Sequence, residues 1–307
     1  MKKLLVTGAS GHLGLNLALY AQRQGYDVIG WANRQSLANA PFVVDQFDLT
    51  DTAHLREKLE AAAPDMVVHA AALANLEGCD KNPELAYQLN AEVPGLLAWH
   101  LKRMGVPLLH ISTDAVFDGT KGDYSETDMP NPINTYAHSK LMGEDNVISE
   151  YKEAIIGRVV FFGWTLTGRR SLAEYFYNHL KAEETANGFT DMIFTPLYVE
   201  HLANLLLEAL EKELHGTYHF FGNQAVSKYA FGVSLAREFG FDESLVSPIS
   251  VMDSELTTQR SLNLSMKNDK LRNALGHELP GIFEGLKVLH LAEDMGLREH
   301  ILGFGSN

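Results

Sequence analysis

One cysteine, Cys79, occurs in 307 residues. That excludes an intrachain disulfide framework and a cysteine-built zinc site, and leaves a buried or loop thiol. Basic residues are also scarce: 25 Lys and Arg against 39 Asp and Glu give a net charge of −14. Phosphate-backbone binding needs concentrated Lys and Arg, so no nucleic-acid partner is expected. Docking on anionic lipid is disfavoured for the same reason. No apolar run approaches the ~18 residues of a membrane span. The run after Lys2 and Lys3 stops at Gly8, short of a signal-peptide core. These absences point to a cytoplasmic setting without membrane contact. The 13 histidines show no H-E-x-x-H or Cys/His spacing, so no metal is expected.

What is present is the composition of a folded enzyme: 46% hydrophobic residues are too many for a disordered chain. The first half alternates short apolar runs with longer amphipathic ones. Lys3–Val6, Asp27–Trp31, Phe42–Val44, Met66–His69, Pro107–Ser112 and Ala154–Phe161 read as strands buried on both faces. Between them, Leu13–Gln24, Thr52–Ala63, Pro83–Met104 and Asn134–Tyr151 read as helices. The repeat implies parallel βαβ units in a doubly wound α/β sheet, with ligands at the strand ends. After Gly163 the rhythm changes. Ser171–Glu184, Val199–Lys212 and Tyr229–Phe239 (behind a Ser227 cap) read as helices, Gly216–Phe221 as a strand, and Asp253–Gly303 as a polar helical tail. No linker or repeat separates the two regions.

Gly8-Ala9-Ser10-Gly11-His12-Leu13-Gly14 is G-x-x-G-x-x-G between a strand and a helix, the context a dinucleotide loop needs. The first glycine permits the turn, the second the approach of a pyrophosphate, and the third close helix–strand packing. The helix N-terminus then faces the phosphates. At the end of the second strand, Trp31-Ala32-Asn33-Arg34 lacks the acid that would bind ribose hydroxyls, and no Asp or Glu occurs from Val28 to Val44. Arg34 could pair with a 2′-phosphate instead, which favours NADP(H) and leaves NAD(H) open. Asp48, after the third strand, either accepts from an adenine amino group or caps a helix; Thr50 and Asp51 are alternative caps.

Tyr136 and Lys140 stand four apart on one predicted helix and so share a face. Upstream, the strand Leu108–Ile111 ends in Ser112-Thr113-Asp114. A nearby ammonium lowers a phenol pKa, letting Tyr act as acid or base near neutrality, while a hydroxyl binds the substrate oxygen. His138, between the two, turns off their face.

These motifs resemble those of the extended short-chain dehydrogenases/reductases, and more narrowly the dTDP-4-dehydrorhamnose reductase branch. The resemblance rests on the glycine loop and on Val67-Val68-His69-Ala70-Ala71-Ala72, Gln88-Leu89-Asn90-Ala91 and Ile111-Ser112-Thr113-Asp114-Ala115-Val116-Phe117-Asp118-Gly119. Tyr124-Ser125-Glu126-Thr127-Asp128 and the run Asn134 to Glu144 add to it. It is dense over about residues 1–165. It implies a Rossmann core of residues 1–162 and 191–222 and a smaller, mainly C-terminal substrate lobe of residues 163–190 and 223–307. It also implies an oxidoreductase in which Tyr136 gives a proton, Lys140 tunes it and binds the nicotinamide ribose, and Thr113 rather than Ser112 holds the carbonyl. Cofactor contacts are expected at Gly8, Ser10, Gly11, His12, Leu13, Gly14, Asn33, Arg34, Asp48, Leu49, Ala70, Ala71, Ala72, Asn90, Tyr136 and Lys140. Substrate contacts are expected at Thr113, Asp114, Ala115, Trp164 and Arg260, with Arg169 and Arg170 as further cations for a diphosphate.

The implied activity is NAD(P)H-dependent reduction of a 4-keto-6-deoxy nucleotide sugar, in a protein compatible with a homodimer. The alternatives are a nucleotide-sugar 4-epimerase with bound NAD, and a non-catalytic subunit like the methionine adenosyltransferase beta subunit. Two positions depart from the branch: Ala115 stands where Tyr is common and Ala137 where Gly is common. GDP-fucose synthases carry an epimerising cysteine at the place of Ala115, and alanine cannot transfer a proton.

Overall fold

The computed structural model describes residues 1–254 and 258–305. Its first half runs β1 (Lys3–Thr7), α1 (His12–Arg23), β2 (Asp27–Ala32), β3 (Val43–Gln46), α2 (Leu55–Ala62), β4 (Met66–His69), α3 (Leu76–Lys81), α4 (Pro83–Tyr87), α5 (Val93–Met104), β5 (Leu108–Thr113), α6 (Thr135–Glu150), β6 (Ile155–Val159) and β7 (Phe161–Phe162). The second half runs α7 (Leu172–Lys181), β8 (Ala186–Phe189), β9 (Ile193–Phe194), β10 (Leu197–Tyr198), α8 (Val199–Glu211), β11 (Gly216–Phe220), β12 (Val226–Ser227), α9 (Lys228–Phe239), β13 (Val246–Ile249), β14 (Asn263–Leu264), α10 (Asp269–Leu275), α11 (Ile282–Asp294) and α12 (Leu297–Gly303).

Seven strands form one sheet in the order β11-β6-β5-β4-β1-β2-β3, every neighbouring pair parallel. This is the doubly wound α/β sheet expected from the alternating pattern. The order reverses between β1 and β4, and a crevice opens outside the strand ends at such a point. Helices cover both faces. One apolar cluster joins α1 and α8 to the later helices through Leu15, Leu202, Leu206 and Leu286. The other packs α2, α5 and α6 through Leu59, Leu97, Leu101 and Val147.

The long helix expected over Pro83–Met104 is interrupted by a wider π-helical turn at Gln88–Glu92. Pro94 is the physical reason, since it has no N–H to return to the Asn90 carbonyl four residues back. That carbonyl instead faces α6: a Cβ on Gly143 would lie 2.1 Å from it, so only glycine lets the two segments meet.

Beyond β7 the chain builds a lobe in which α9 packs on α7 and α11. The helix α7 starts at Ser171, whose hydroxyl and the Glu174 carboxylate form a capping box. Ser227 caps α9 as expected, accepting from the Ala230 N–H at 3.0 Å. The tail is less helical than expected: it returns to pair β14 with β9 and bridges Met266 to Tyr124. Residues 255–257 of that tail lie outside the described residues. The bridge brings Arg260 beside the ends of the main sheet. Among the described residues, no helix is long and apolar enough to cross a membrane.

Candidate active site

The glycine loop follows β1 directly. Gly8 has φ +69°, and a Cβ there would lie 2.8 Å from the Ala71 backbone. At Gly14 a Cβ would lie 2.1 Å from the Gly8 carbonyl oxygen. These two glycines therefore let α1 and the turn after β4 close around the loop. Gly11 caps α1 without any side-chain bond, leaving first-turn N–H groups open to an anion. Leu13 and Gly14 are buried, while Ser10 and His12 are half-buried. His12 packs on Phe161, ring centroids 4.9 Å apart, and burial lowers its pKa to about 4, so it is neutral.

Asn33, Arg34 and Asp48 converge at the far end of the crevice. The Asp48 carboxylate accepts the Thr50 N–H at 2.9 Å and its hydroxyl at 2.8 Å. Those bonds, a further one from Asn33 and the charge of Arg34 hold its pKa below the ordinary value. Of the two roles open to Asp48, helix capping is not realised: α2 begins later, behind His54. Leu49 is buried beside it, and Arg34 is exposed. Ala70 and Ala71 are half-buried and Ala72 exposed after β4. Asn90 ties this stretch to α6: its amide bonds the Leu73 N–H at 2.8 Å, the Leu73 carbonyl at 3.0 Å and the Ser139 hydroxyl at 3.0 Å.

Thr113 ends β5, and Tyr136 and Lys140 lie in the first turns of α6, whose N-cap Asn134 accepts from the Ala137 N–H at 2.9 Å. The Thr113 and Tyr136 side chains lie beside each other. The Thr113 hydroxyl donates to Asp114 at 3.1 Å and accepts the Ala115 N–H at 3.2 Å. Burial pushes the Tyr136 phenol up to about 12; the neighbouring Thr113 opposes this, and Asp114 and Cys79 add to it. Asp114, 7% exposed, is raised to about 6 by burial. Lys140, 2% exposed, is lowered to about 8 by burial, partly offset by Glu144. Its ammonium donates to the Ile111 carbonyl at 2.7 Å and lies 3.4 Å from His110 Nε2. Lys140 is not among the groups that shift the phenol in this arrangement. The Tyr136 phenol is protonated at neutral pH, and the Lys140 ammonium is turned toward the sheet. His138 is exposed, as its helical position implies.

On the lobe side, Ala115 is half-buried, and Arg260 pairs with Glu77 at 2.7 Å while its buried Nε has no partner. Arg260 also lines a groove of about 650 Å³ together with Asp118, Ile133, Val251, Gln259 and Leu262. Trp164 is placed elsewhere. It is 1% exposed and packs edge-on against Tyr177 and Phe239 in the apolar core, where its indole fills volume. Arg169 and Arg170 are exposed on the loop before α7. The sequence reading missed Lys228, the first residue of α9. Its ammonium is lowered to about 8 by burial and by Arg260, with Asp114 opposing. Tertiary folding alone brings it there, and no local pattern marks it. Cys79 is buried near Tyr136 and donates to the Leu73 carbonyl at 3.2 Å.

The family model described as "RmlD substrate binding domain" matches residues 1–292. The chain belongs to this family. It is an oxidoreductase of the extended short-chain dehydrogenase/reductase type, as its motifs imply. A Haloferax volcanii protein named probable low-salt glycan biosynthesis reductase is 32% identical over 292 residues, covering 94% of this chain and 97% of that protein. The dTDP-4-dehydrorhamnose reductase of Mycobacterium tuberculosis is 31% identical over 259 residues, covering 81% and 79%. Methionine adenosyltransferase 2 subunit beta of Bos taurus is 29% identical over 297 residues, covering 93% and 87%. Among solved structures, dTDP-4-dehydrorhamnose reductase from Bacillus anthracis in complex with NADP superposes with a TM-score of 0.84 at 24% identity, covering 94% of this chain and 99% of that one.

Proposed function

We propose that the protein reduces the 4-keto group of a 4-keto-6-deoxy nucleotide sugar, with NADP(H) as the preferred cofactor. The observation that carries the reading is a protonated Tyr136 beside Thr113 at the end of β5, with the buried Lys140 one turn along α6. A bound dinucleotide would supply the hydride to C4. The fit rests on the cradle at Gly8 and Gly14, which a Cβ would fill, the uncapped start of α1 and the exposed Arg34. Thr113 holds the carbonyl oxygen, and Tyr136 delivers a proton to it as it becomes a hydroxyl. Lys140 keeps a positive charge under the site, which favours the phenolate left behind. Arg260 and Lys228 form the cationic wall for the diphosphate. We assign residues 1–162 and 191–222 to cofactor binding and the remainder to the substrate lobe.

The test is NADPH oxidation against dTDP-, GDP- and UDP-linked 4-keto-6-deoxy sugars, with wild type and Tyr136→Phe. The expected outcome is net NADPH consumption with one of them. Tyr136→Phe should lower kcat at least a hundredfold while NADPH still binds. Near wild-type turnover in Tyr136→Phe sinks the mechanism. No turnover by the wild type across the panel, with a partner protein captured instead, sinks the enzymatic reading.

A further inference from the structure

Beneath Lys140 the sheet carries a polar row that the motifs do not explain. Thr7 on β1, His69 on β4 and His110 on β5 are register partners across adjacent strands. All three are at most 1% exposed, where central strands ordinarily carry apolar side chains. The Thr7 hydroxyl bonds His69 Nδ1 at 2.7 Å and accepts the Ala71 N–H at 3.3 Å. The His69 and His110 rings stack with centroids 5.3 Å apart and planes 21° apart. His110 then meets the Lys140 ammonium at 3.4 Å through Nε2.

The ammonium has no carboxylate of its own. Glu144, one turn along α6, is committed to Arg158 of β6 through bonds of 2.7 to 3.2 Å and to the Ser112 hydroxyl. The groups facing Lys140 are therefore His69, His110, Tyr136 and the already paired Glu144. His110 is neutral, held well below its ordinary pKa by burial and by Lys140 itself. A neutral ring facing an ammonium through Nε2 presents a lone pair there and carries its proton on Nδ1.

We propose that His110 is a positioning residue for Lys140, accepting one ammonium hydrogen at Nε2 while the Ile111 carbonyl accepts another. This rests on the reading of Lys140 as part of the catalytic site. The two acceptors fix the side chain and favour its charged form, leaving one N–H free. Without His110 a buried ammonium keeps a single neutral acceptor, and its deprotonation moves to lower pH.

The experiment is the pH dependence of kcat for wild type, His110→Leu and His110→Gln. The wild-type alkaline limb is expected near pH 8, where Lys140 titrates. In His110→Leu it should move down by about one pH unit, leaving kcat within about twofold at pH 6.5 and about tenfold lower at pH 9. Gln offers an acceptor at the place of Nε2 and should restore the limb. His69→Leu disturbs the same packing without removing a hydrogen-bond acceptor of Lys140 and should leave the limb in place. A pH profile of His110→Leu that overlays the wild type, or one displaced equally in His69→Leu, overturns the proposal. If His110→Leu does not fold, His110→Asn replaces it: its amide sits at the place of Nδ1, so its limb should fall while that of Gln holds. Lys140→Met separates the layers. If it stays active, the catalytic reading fails. If it is inactive while the His110 variants keep the wild-type limb, the role of His110 alone fails.

Discussion

Three buried imidazoles in the sheet, together with His12 at about 4, make the fold sensitive to mild acid. His69 and His110 lie beneath Lys140, and His219 has Nε2 3.5 Å from the Arg158 guanidinium and Nδ1 3.1 Å from the Lys267 carbonyl. Burial is the main cause of their depression and the adjacent cation the next: His69 and His219 titrate at about 3 and His110 well below 6.5. The unfolded chain therefore binds protons that the fold refuses. Stability from these groups is complete above pH 6.5 and is lost as pH falls from there toward 3. At pH 5.5, one unit below the unfolded value, each ring costs at most about 1.4 kcal/mol and the four together about 5.5 kcal/mol. Asp114, raised to about 6, works in the opposite direction and returns about 1 kcal/mol over the interval from pH 7.5. A net loss of about 4.5 kcal/mol is a large part of the 5–15 kcal/mol that holds a protein folded. Urea unfolding of dilute protein at pH 7.5 and 5.5, at constant salt, measures it. His219→Gln, remote from Tyr136, should remove about 1.4 kcal/mol of the acid loss. Free energies within about 1 kcal/mol of each other at the two pH values, or a His219→Gln variant as acid-sensitive as the wild type, refute the reasoning.

Arg34→Ala should raise the KM for NADPH about 10- to 100-fold and leave that for NADH unchanged, since a charge-assisted phosphate contact is lost; equal effects on both would remove Arg34 from the 2′-phosphate. Gly14→Ala should weaken NADPH binding at least about tenfold and cost about 1–3 kcal/mol, because its Cβ would meet backbone at 2.1 Å; fluorescence titration and thermal melting read both, and a wild-type melt contradicts the packing. Glu144→Ala should cost about 3–5 kcal/mol by leaving Arg158 buried and unpaired, with each side chain of the pair 6% exposed; a loss below about 1 kcal/mol in chemical denaturation would show that water reaches the guanidinium.

The glycine loop, the strand Met66–His69 and the Tyr136–Lys140 pair were legible because each depends on neighbours close in sequence. Strands buried on both faces read as apolar runs, and a helix puts residues four apart on one face. The π-helical turn was not legible. The apolar rhythm of Pro83–Met104 continues through it, and only Pro94 hints at the missing bond. The helix Leu76–Lys81 is too short to show a period. Trp164 carries a residue type common to cores and ligand sites, so its burial against Tyr177 had to come from the structure. Lys228 and His110 lie outside the motifs, and no motif pairs His69 with His110. Distant segments bring Lys228 to Asp114, and strand register alone aligns the two imidazoles.

The edge strand Gly216–Phe220 comes from the second half of the chain and completes the sheet built by the first. A chain cut after Gly163 would leave the hydrogen-bonding edge of Ile155–Val159 bare, an invitation to intermolecular pairing. The two halves are thus not separable cassettes. Grafting a relative's sugar-recognition segments onto this scaffold would need two insertions, one on either side of residues 216–220, with that short strand kept from the host.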